Sequence, residues 1–274
     1  VAEGVIPGNM GCTNLDLRLG IPAVLKPEKR PVRIALSNSF GFGGNNAAVV
    51  LASPDVKPAP RPFSPARALT IVGAACLTGS GGTEVSFQKF LKGETVAGTF
   101  PENDITKDLP ARQIRRLKRL PKISLSLAVA AAKDAGTGFT PASIFFSTGW
   151  GPLSETYDFL TKLYDSNMRF SSPTDFIGSV HNAPAGQLAM WFKATGANIT
   201  ATCGDYSFEH SLLMSSLVAS EGEHILILGA DEAHSIMSPL LDPSAAADRV
   251  FSDGGGAFMV VAKTNAQGPL LAPI

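Results

Sequence analysis

Cysteine is scarce in this chain: Cys12, Cys76 and Cys203 are the only three in 274 residues, with no C-x-x-C pair and no histidine at ligand spacing. That excludes a disulfide framework and argues against a zinc site, so no metal is expected. An excess of one charge is lacking too. Lysine plus arginine and aspartate plus glutamate each number 23, a balance that gives no general attraction to nucleic acid or to an anionic membrane. Long apolar runs are absent. The best, ISLSLAVAAA from Ile123, is about half of the roughly 20 residues needed to cross a bilayer, and no basic start followed by an apolar block suggests a signal peptide. A cytoplasmic location is the expectation that remains. The chain begins with Val1 and not methionine, which points to a processed or truncated N-terminus.

What is present describes a globular chain, with 45% hydrophobic and 17% charged residues. VRIALSNS and AAVVLAS are β-prone runs on either side of a glycine loop, and they predict a β-hairpin. Two strands cannot bury a core alone, so residues 1–53 need support from elsewhere. SPDVKPAPRPFSPAR then carries five prolines and reads as a semi-rigid linker over residues 54–67. From Ala68 onward β-like runs alternate with helical stretches. ALTIVGAA, SIFFSTG, ANITATC, HILILGADE and AFMVVAK predict strands. EVSFQKFLKGE, the second half of RRLKRLPKISLSLAVAAAKDAG, GPLSETYDFLTKLYDS, part of APAGQLAMWFKATG and SFEHSLLMSSLVASEG predict helices. This alternation is that of an α/β sheet covered by helices.

NSFGFGGNNA at 38–47, and more broadly residues 4–52, resemble the closing part of β-ketoacyl-acyl-carrier-protein synthases. In that family the loop comes last, yet here a new unit follows it. RRLKRLPKISLSLAVAAAKDAG, SIFFSTGWGPLSE, HNAPAGQLAMWFKATGANIT, HILILGADEA and SDGGGAFMVV fall in family order and resemble the N-terminal half of a ketosynthase over residues 68–263. The resemblance implies a thiolase-like half fold, a mixed five-stranded sheet covered by helices, plus the N-terminal β-hairpin. It implies a ketosynthase C-terminal segment (1–53), a linker (54–67), a chain-length-factor-like N-terminal domain (68–264) and a tail (265–274). No cofactor is expected.

A ketosynthase carries its acyl group on a cysteine at the N-terminus of a buried helix, where the dipole and free N–H groups favour thiolate. The matching stretch here is GANITATCGDYSFEHSLLMSS. Counting from Gly196 and back from Gly222 both place Asp205 in the nucleophile position. A carboxylate is a weak nucleophile toward thioesters and its acyl product would be a labile anhydride, so Asp205 implies lost chemistry. It suits an N-cap, accepting the first free N–H groups. Cys203 as nucleophile is the alternative, needing a register two residues off, and its default is a buried inert thiol. His210 would then be a base, against the plainer reading of a core histidine. His181 could line a channel, while His224 and His234 read as structural or exposed. The family's condensation also resembles a two-histidine mechanism whose histidines come from the C-terminal half, and this chain supplies neither.

In the glycine loop, Gly41, Gly43 and Gly44 permit positive φ, and Phe42 matches a phenylalanine that in the resembled enzymes gates substrate access. A plain tight hairpin is the competing reading. Arg112, Arg115, Arg116, Lys118, Arg119 and Lys122 form a run without an acid. Acyl carrier proteins are acidic, so the run is expected either to dock one or to be paired internally and solvated. Phe159, Trp191, Phe208 and Met214 are candidates to line an acyl tunnel. The resemblance thus implies two partners, a ketosynthase (as a heterodimer or fused upstream) and an acyl carrier protein, in polyketide or fatty-acid-like polyene synthesis. An active acyltransferase using Cys203 is the rival, and an assembly module with no tunnel role is a third.

Overall fold

The computed structural model describes residues 3–18, 20, 23–40, 46–57, 66–169, 172–242, 250–263 and 267–271. They fall into two compact units, Val1–Phe63 and Ser64–Ile274. In the first, β1 (Val5–Ile6) pairs with β2 (Glu28–Lys29), and β3 (Ile34–Phe40) pairs with β4 (Asn46–Ala52), both antiparallel. The expected hairpin is therefore formed, in the register Ile34 to Ala52 and Leu36 to Val50. Ile34, Leu36, Val49, Val50 and Leu51 are all exposed, and every fully buried apolar side chain among the described residues belongs to the second unit. The candidate gate Gly41, Phe42, Gly43 and Gly44 lies outside the described residues, as do Pro58, Pro60, Pro62 and Pro65 of the linker.

The second unit is built on a mixed sheet of seven strands. Its strands are β5 (Leu69–Thr78), β6 (Gly81–Gly82), β7 (Ser143–Ser147), β8 (Asn198–Ala201), β9 (His224–Asp231), β10 (Gly254–Val261) and β11 (Leu270–Leu271). They run in the order β11-β5-β10-β9-β7-β8, with β6 pairing off β5. β7 is parallel to β8 and β9, while β10 is antiparallel to β9 and β5. The five expected strands form its body, and two strands of two residues each extend it. One of these is β11, so part of the expected tail adds to the sheet edge through backbone pairing with Leu69 and Thr70.

The helices are α1 (Thr83–Leu91), α2 (Glu102–Thr106), α3 (Ala111–Ile114), α4 (Arg119–Asp134), α5 (Leu153–Asp165), α6 (Pro173–Ser179), α7 (Ala183–Phe192), α8 (Ser207–Val218) and α9 (Met237–Leu241). None of the described helices is long and apolar enough to cross a membrane. The central strands are apolar without alternation because both faces are covered. On β9, Leu226 and Leu228 join the core that contains Leu120, Ile123, Leu127 and Leu188 of α4 and α7. Ile225 and Ile227 face the opposite core with Phe145 and Val260, onto which Phe208 and Leu212 of α8 pack. Helix α4 lies so close to β5 that a Cβ at Gly73 would sit 2.4 Å from the Ala131 carbonyl oxygen and 2.5 Å from the Ala135 nitrogen. Only glycine permits that approach.

Candidate functional site

A cavity of about 600 Å³ opens where the C-terminal ends of β7 and β9 meet the start of β10 and the entrance of α8. Its floor is made by missing side chains. Gly229 on β9 stands opposite Gly256 on β10, with Gly254 and Gly255 beside them. A Cβ at Gly229 would come within 2.7 Å of Ser147 Oγ and 2.8 Å of Phe208 Cδ2. The walls are aromatic: Trp150, Phe208, Phe251 and Phe258, with the rings of Trp150 and Phe251 5.9 Å apart across the mouth.

The mouth is held by one carboxylate. Asp231, the last residue of β9, accepts the Thr148 hydroxyl at 2.6 Å and the backbone N–H groups of Gly149 and Trp150 at 3.0 and 3.1 Å. Three donors of one turn on a single side chain, with the Gly151 N–H donating in turn to the Thr148 hydroxyl at 2.9 Å, fix the loop between β7 and α5.

The expected strand, turn and helix are all found at 198–218. β8 ends at Ala201, a 3₁₀ turn spans Gly204–Tyr206, and α8 starts at Ser207. Asp205 sits on the turn and lines the cavity. Its cap role is not found: the 3₁₀ turn moves the N-cap to Tyr206, and no side chain caps the helix. Ser207 ties the turn down instead, its Oγ accepting the Cys203 N–H at 2.8 Å and donating to the Gly204 carbonyl at 2.6 Å.

Cys203 is absent from the described cavity lining, and it is exposed rather than buried. Its Sγ lies 3.4 Å from Nδ1 of His210. His210 is exposed too, so the expected core histidine is instead a surface partner of the thiol, because that side of α8 faces away from the sheet. His181 packs its ring against Gly151, outside the cavity. His224 stacks on Phe139 with ring centroids 4.4 Å apart. His234 accepts the Ile236 and Met237 N–H groups on Nδ1 at 3.2 and 3.1 Å.

Of the four tunnel candidates only Phe208 lines the cavity. Phe159 packs on Phe176, and Trp191 and Met214 lie against the two cores. The glycine floor, Trp150, Asp231 and Phe251 were not foreseen, although GGG at a strand start and D-E at a strand end are visible signals. The basic run divides. Lys118 bridges to Asp158, Lys122 to Glu102, and Arg119 is half-buried on Asp253 and Glu102. Arg112 and Arg115 border a shallow surface pocket beside Lys122. No group of three or more His, Cys, Asp or Glu side chains able to hold a metal ion occurs among the described residues.

The family model of the N-terminal domain of β-ketoacyl synthases matches residues 94–239. Among solved structures, the ishigamide ketosynthase/chain length factor is similar at 19% identity and a TM-score of 0.60, over 73% of this chain and 64% of that one. The PfaC ketosynthase-chain length factor is similar at 15% identity and a TM-score of 0.65, over 94% of this chain and 36% of that one. The ketosynthase ApeO in complex with its chain length factor ApeC, from Xenorhabdus doucetiae, gives 19% identity and a TM-score of 0.53, over 72% of this chain and 79% of that one. The chain thus spans less than two thirds of the first two, and likeness at these identities concerns the fold. No curated protein matches it by sequence.

Proposed function

The chain belongs to the β-ketoacyl synthase family, and on that premise we propose that it is a chain-length-factor-like member that shapes an acyl cavity beside an active ketosynthase without condensing acyl groups itself. One observation carries this reading: the group presented to the cavity from the turn before α8 is Asp205, a carboxylate, and not a thiol. A carboxylate there repels a malonyl group and forms no stable thioester. The apolar walls around Phe208 and Phe258 suit an alkyl chain, whose burial is worth about 0.8 kcal/mol per methylene.

The reading extends to domain order. Residues 1–53 act as the last part of a ketosynthase, the proline-rich stretch as a linker, and the second unit as the chain-length-factor-like half. In support, the PfaC structure is matched along nearly the whole chain, whereas the other two are matched over less than three quarters. The partner is then a ketosynthase, fused or separate, served by an acyl carrier protein that delivers polyketide or polyene intermediates. The test is intact-mass analysis after incubation with an acyl-pantetheine thioester. We expect no adduct, and an acyl group mapped to Asp205 or Cys203 overturns the proposal.

A second reading rests on the Cys203 Sγ to His210 Nδ1 contact of 3.4 Å, the geometry of a thiol with an adjacent base. In it Cys203 accepts the acyl group directly. An adduct that disappears in Cys203→Ala favours this reading over the first.

A further inference from the structure

Beside the cavity mouth a buried carboxyl, Glu232, and a half-buried one, Glu155, whose Oε2 is itself buried, lie on either side of Ser154 with too few donors between them. Glu232, directly after Asp231 at the end of β9, is 1% exposed and meets the first turn of α5. Its carboxylate accepts the Ser154 N–H at 2.9 Å and the Ser154 hydroxyl at 2.5 Å. The next residue of α5, Glu155, packs its side chain on Gly178 of α6, and its Oε2 is buried without a hydrogen-bond partner. An ionised carboxylate in that position would leave a charged oxygen unsolvated beside a second anion, whereas a protonated one would not.

We propose that Glu155 and Glu232 form a proton-operated latch: a proton held on Glu155 spares the α5–α6 pair a second anion beside Glu232 and keeps it seated at the end of β9, and its loss to solvent releases that pair and loosens the cavity lip. The coupling to the lip follows from the chain. Asp231 grips Thr148, Gly149 and Trp150, Glu232 grips Ser154, and the two grips are adjacent in sequence at one strand end and four residues apart on the loop they hold. Slack at α5 therefore reaches Trp150 through Gly151 and Pro152.

Charged and titratable groups stand on every side of the pair. From the start of α4 come Lys118, which pairs with Asp158, and Arg119, which pairs with Asp253 and Glu102. α5 itself adds Tyr157, Asp158 and Lys162, the last bonded to Asp175 of α6. His181 precedes α7, and His234 lies against Tyr157 with ring centroids 4.9 Å apart. Burial, and then the neighbouring Glu232, raise Glu155 to about 8, while burial raises Glu232 to about 6 against the pull of its Ser154 hydrogen bonds. Burial keeps His234 below its usual range, so its protonation lies on the acid side of the latch. Near pH 7 the pair then carries one proton, on Glu155, and one charge, on Glu232.

Hydrogen exchange of the full chain between pH 6 and 9, corrected for the intrinsic rate, tests the latch. We expect protection of residues 148–165 to fall by roughly threefold or more as pH passes about 8, with the α4 peptide unchanged. Glu155→Gln, which mimics the protonated acid, should keep protection flat. A wild type without the transition, or a Glu155→Gln variant that retains it, overturns the proposal. Should Glu155→Gln fail to fold, Glu232→Gln decides: removing the neighbouring charge should lower the midpoint by about one pH unit, and an unmoved midpoint overturns the latch.

Discussion

Arg119 grips Asp253 with two nitrogens, Nε donating to Oδ1 at 3.0 Å and Nη2 to Oδ2, and the Asp253 side chain is fully buried. The same carboxylate accepts the Phe100 and Ala233 N–H groups at 2.7 and 3.0 Å, so one buried anion joins the start of α4 to the approaches of α2 and β10. Arg119→Met removes the only cation bonded to it among the described residues and should cost about 3 kcal/mol, with the remaining N–H donors holding it below the upper end of the range. Urea denaturation checks this. A midpoint unchanged from wild type would show Arg119 to be a surface group available for other work.

Gly229→Ala should destabilise the fold by about 1–3 kcal/mol and shrink the cavity, because the new methyl meets Ser147 Oγ and the Phe208 ring below 3 Å. The ring has to swing into the cavity. Displacement of an environment-sensitive apolar dye, weaker in the variant than in wild type, reports the lost volume, and equal dye binding would place the dye elsewhere.

What could be read from the sequence, and what could not, divides along physical lines. HILILGADE and SIFFSTG declared themselves as central strands because burial on both faces leaves an unbroken apolar run, as Ile225 to Leu228 show. α2 and α3, of five and four residues, follow prolines and are mostly polar, so no helical period had room to appear. The cavity escaped notice because its floor consists of absent side chains at Gly229 and Gly254 to Gly256. Asp205 was found at the helix entrance by counting, but the 3₁₀ turn that removes it from the N-cap leaves no mark in composition. The roles of the individual basic residues depended on acids far away in sequence, Asp253 for Arg119 and Asp158 for Lys118 above all.

Stability should fall as pH rises through the neutral range. Glu155 and Glu232 hold protons in the folded chain up to about 8 and about 6, whereas in the unfolded chain they lose them near the ordinary carboxylate value. The folded state thus binds more protons between those limits. Their contribution is complete below roughly pH 4 and is lost progressively up to about pH 8, amounting to a few kcal/mol. Melting temperatures across pH 5–8 should decline in wild type and decline less in Glu155→Gln. Parallel curves would assign the slope to other groups.

Alkylation separates the thiols. Cys203 is exposed beside an imidazole, whereas burial raises the Cys76 thiol and its Sγ lies 3.9 Å from the Thr83 carbonyl. Iodoacetamide at pH 7.5 should therefore modify Cys203 first, and His210→Ala should slow that step severalfold. Peptide mapping gives the order, and equal rates with and without His210 would remove the basis of the acyltransferase reading.

The internal pairing of Lys118, Arg119 and Lys122 narrows any carrier-protein surface to Arg112, Arg115 and Arg116. Arg112 and Arg115 border the same shallow pocket, on a short helix and the residue after it. An acidic carrier would be drawn to them chiefly by long-range attraction, which acts on the association rate and is screened over about 8 Å at physiological salt. Arg115→Glu with Arg116→Glu should therefore slow association by roughly tenfold at low salt while leaving dissociation little changed, and the deficit should shrink as salt is raised. Because these side chains make no salt bridge among the described residues, the double variant should melt within about 1 °C of wild type. Binding kinetics against an acyl carrier protein at two salt concentrations distinguish the cases: a loss confined to association supports this surface, and unaltered association places the carrier elsewhere.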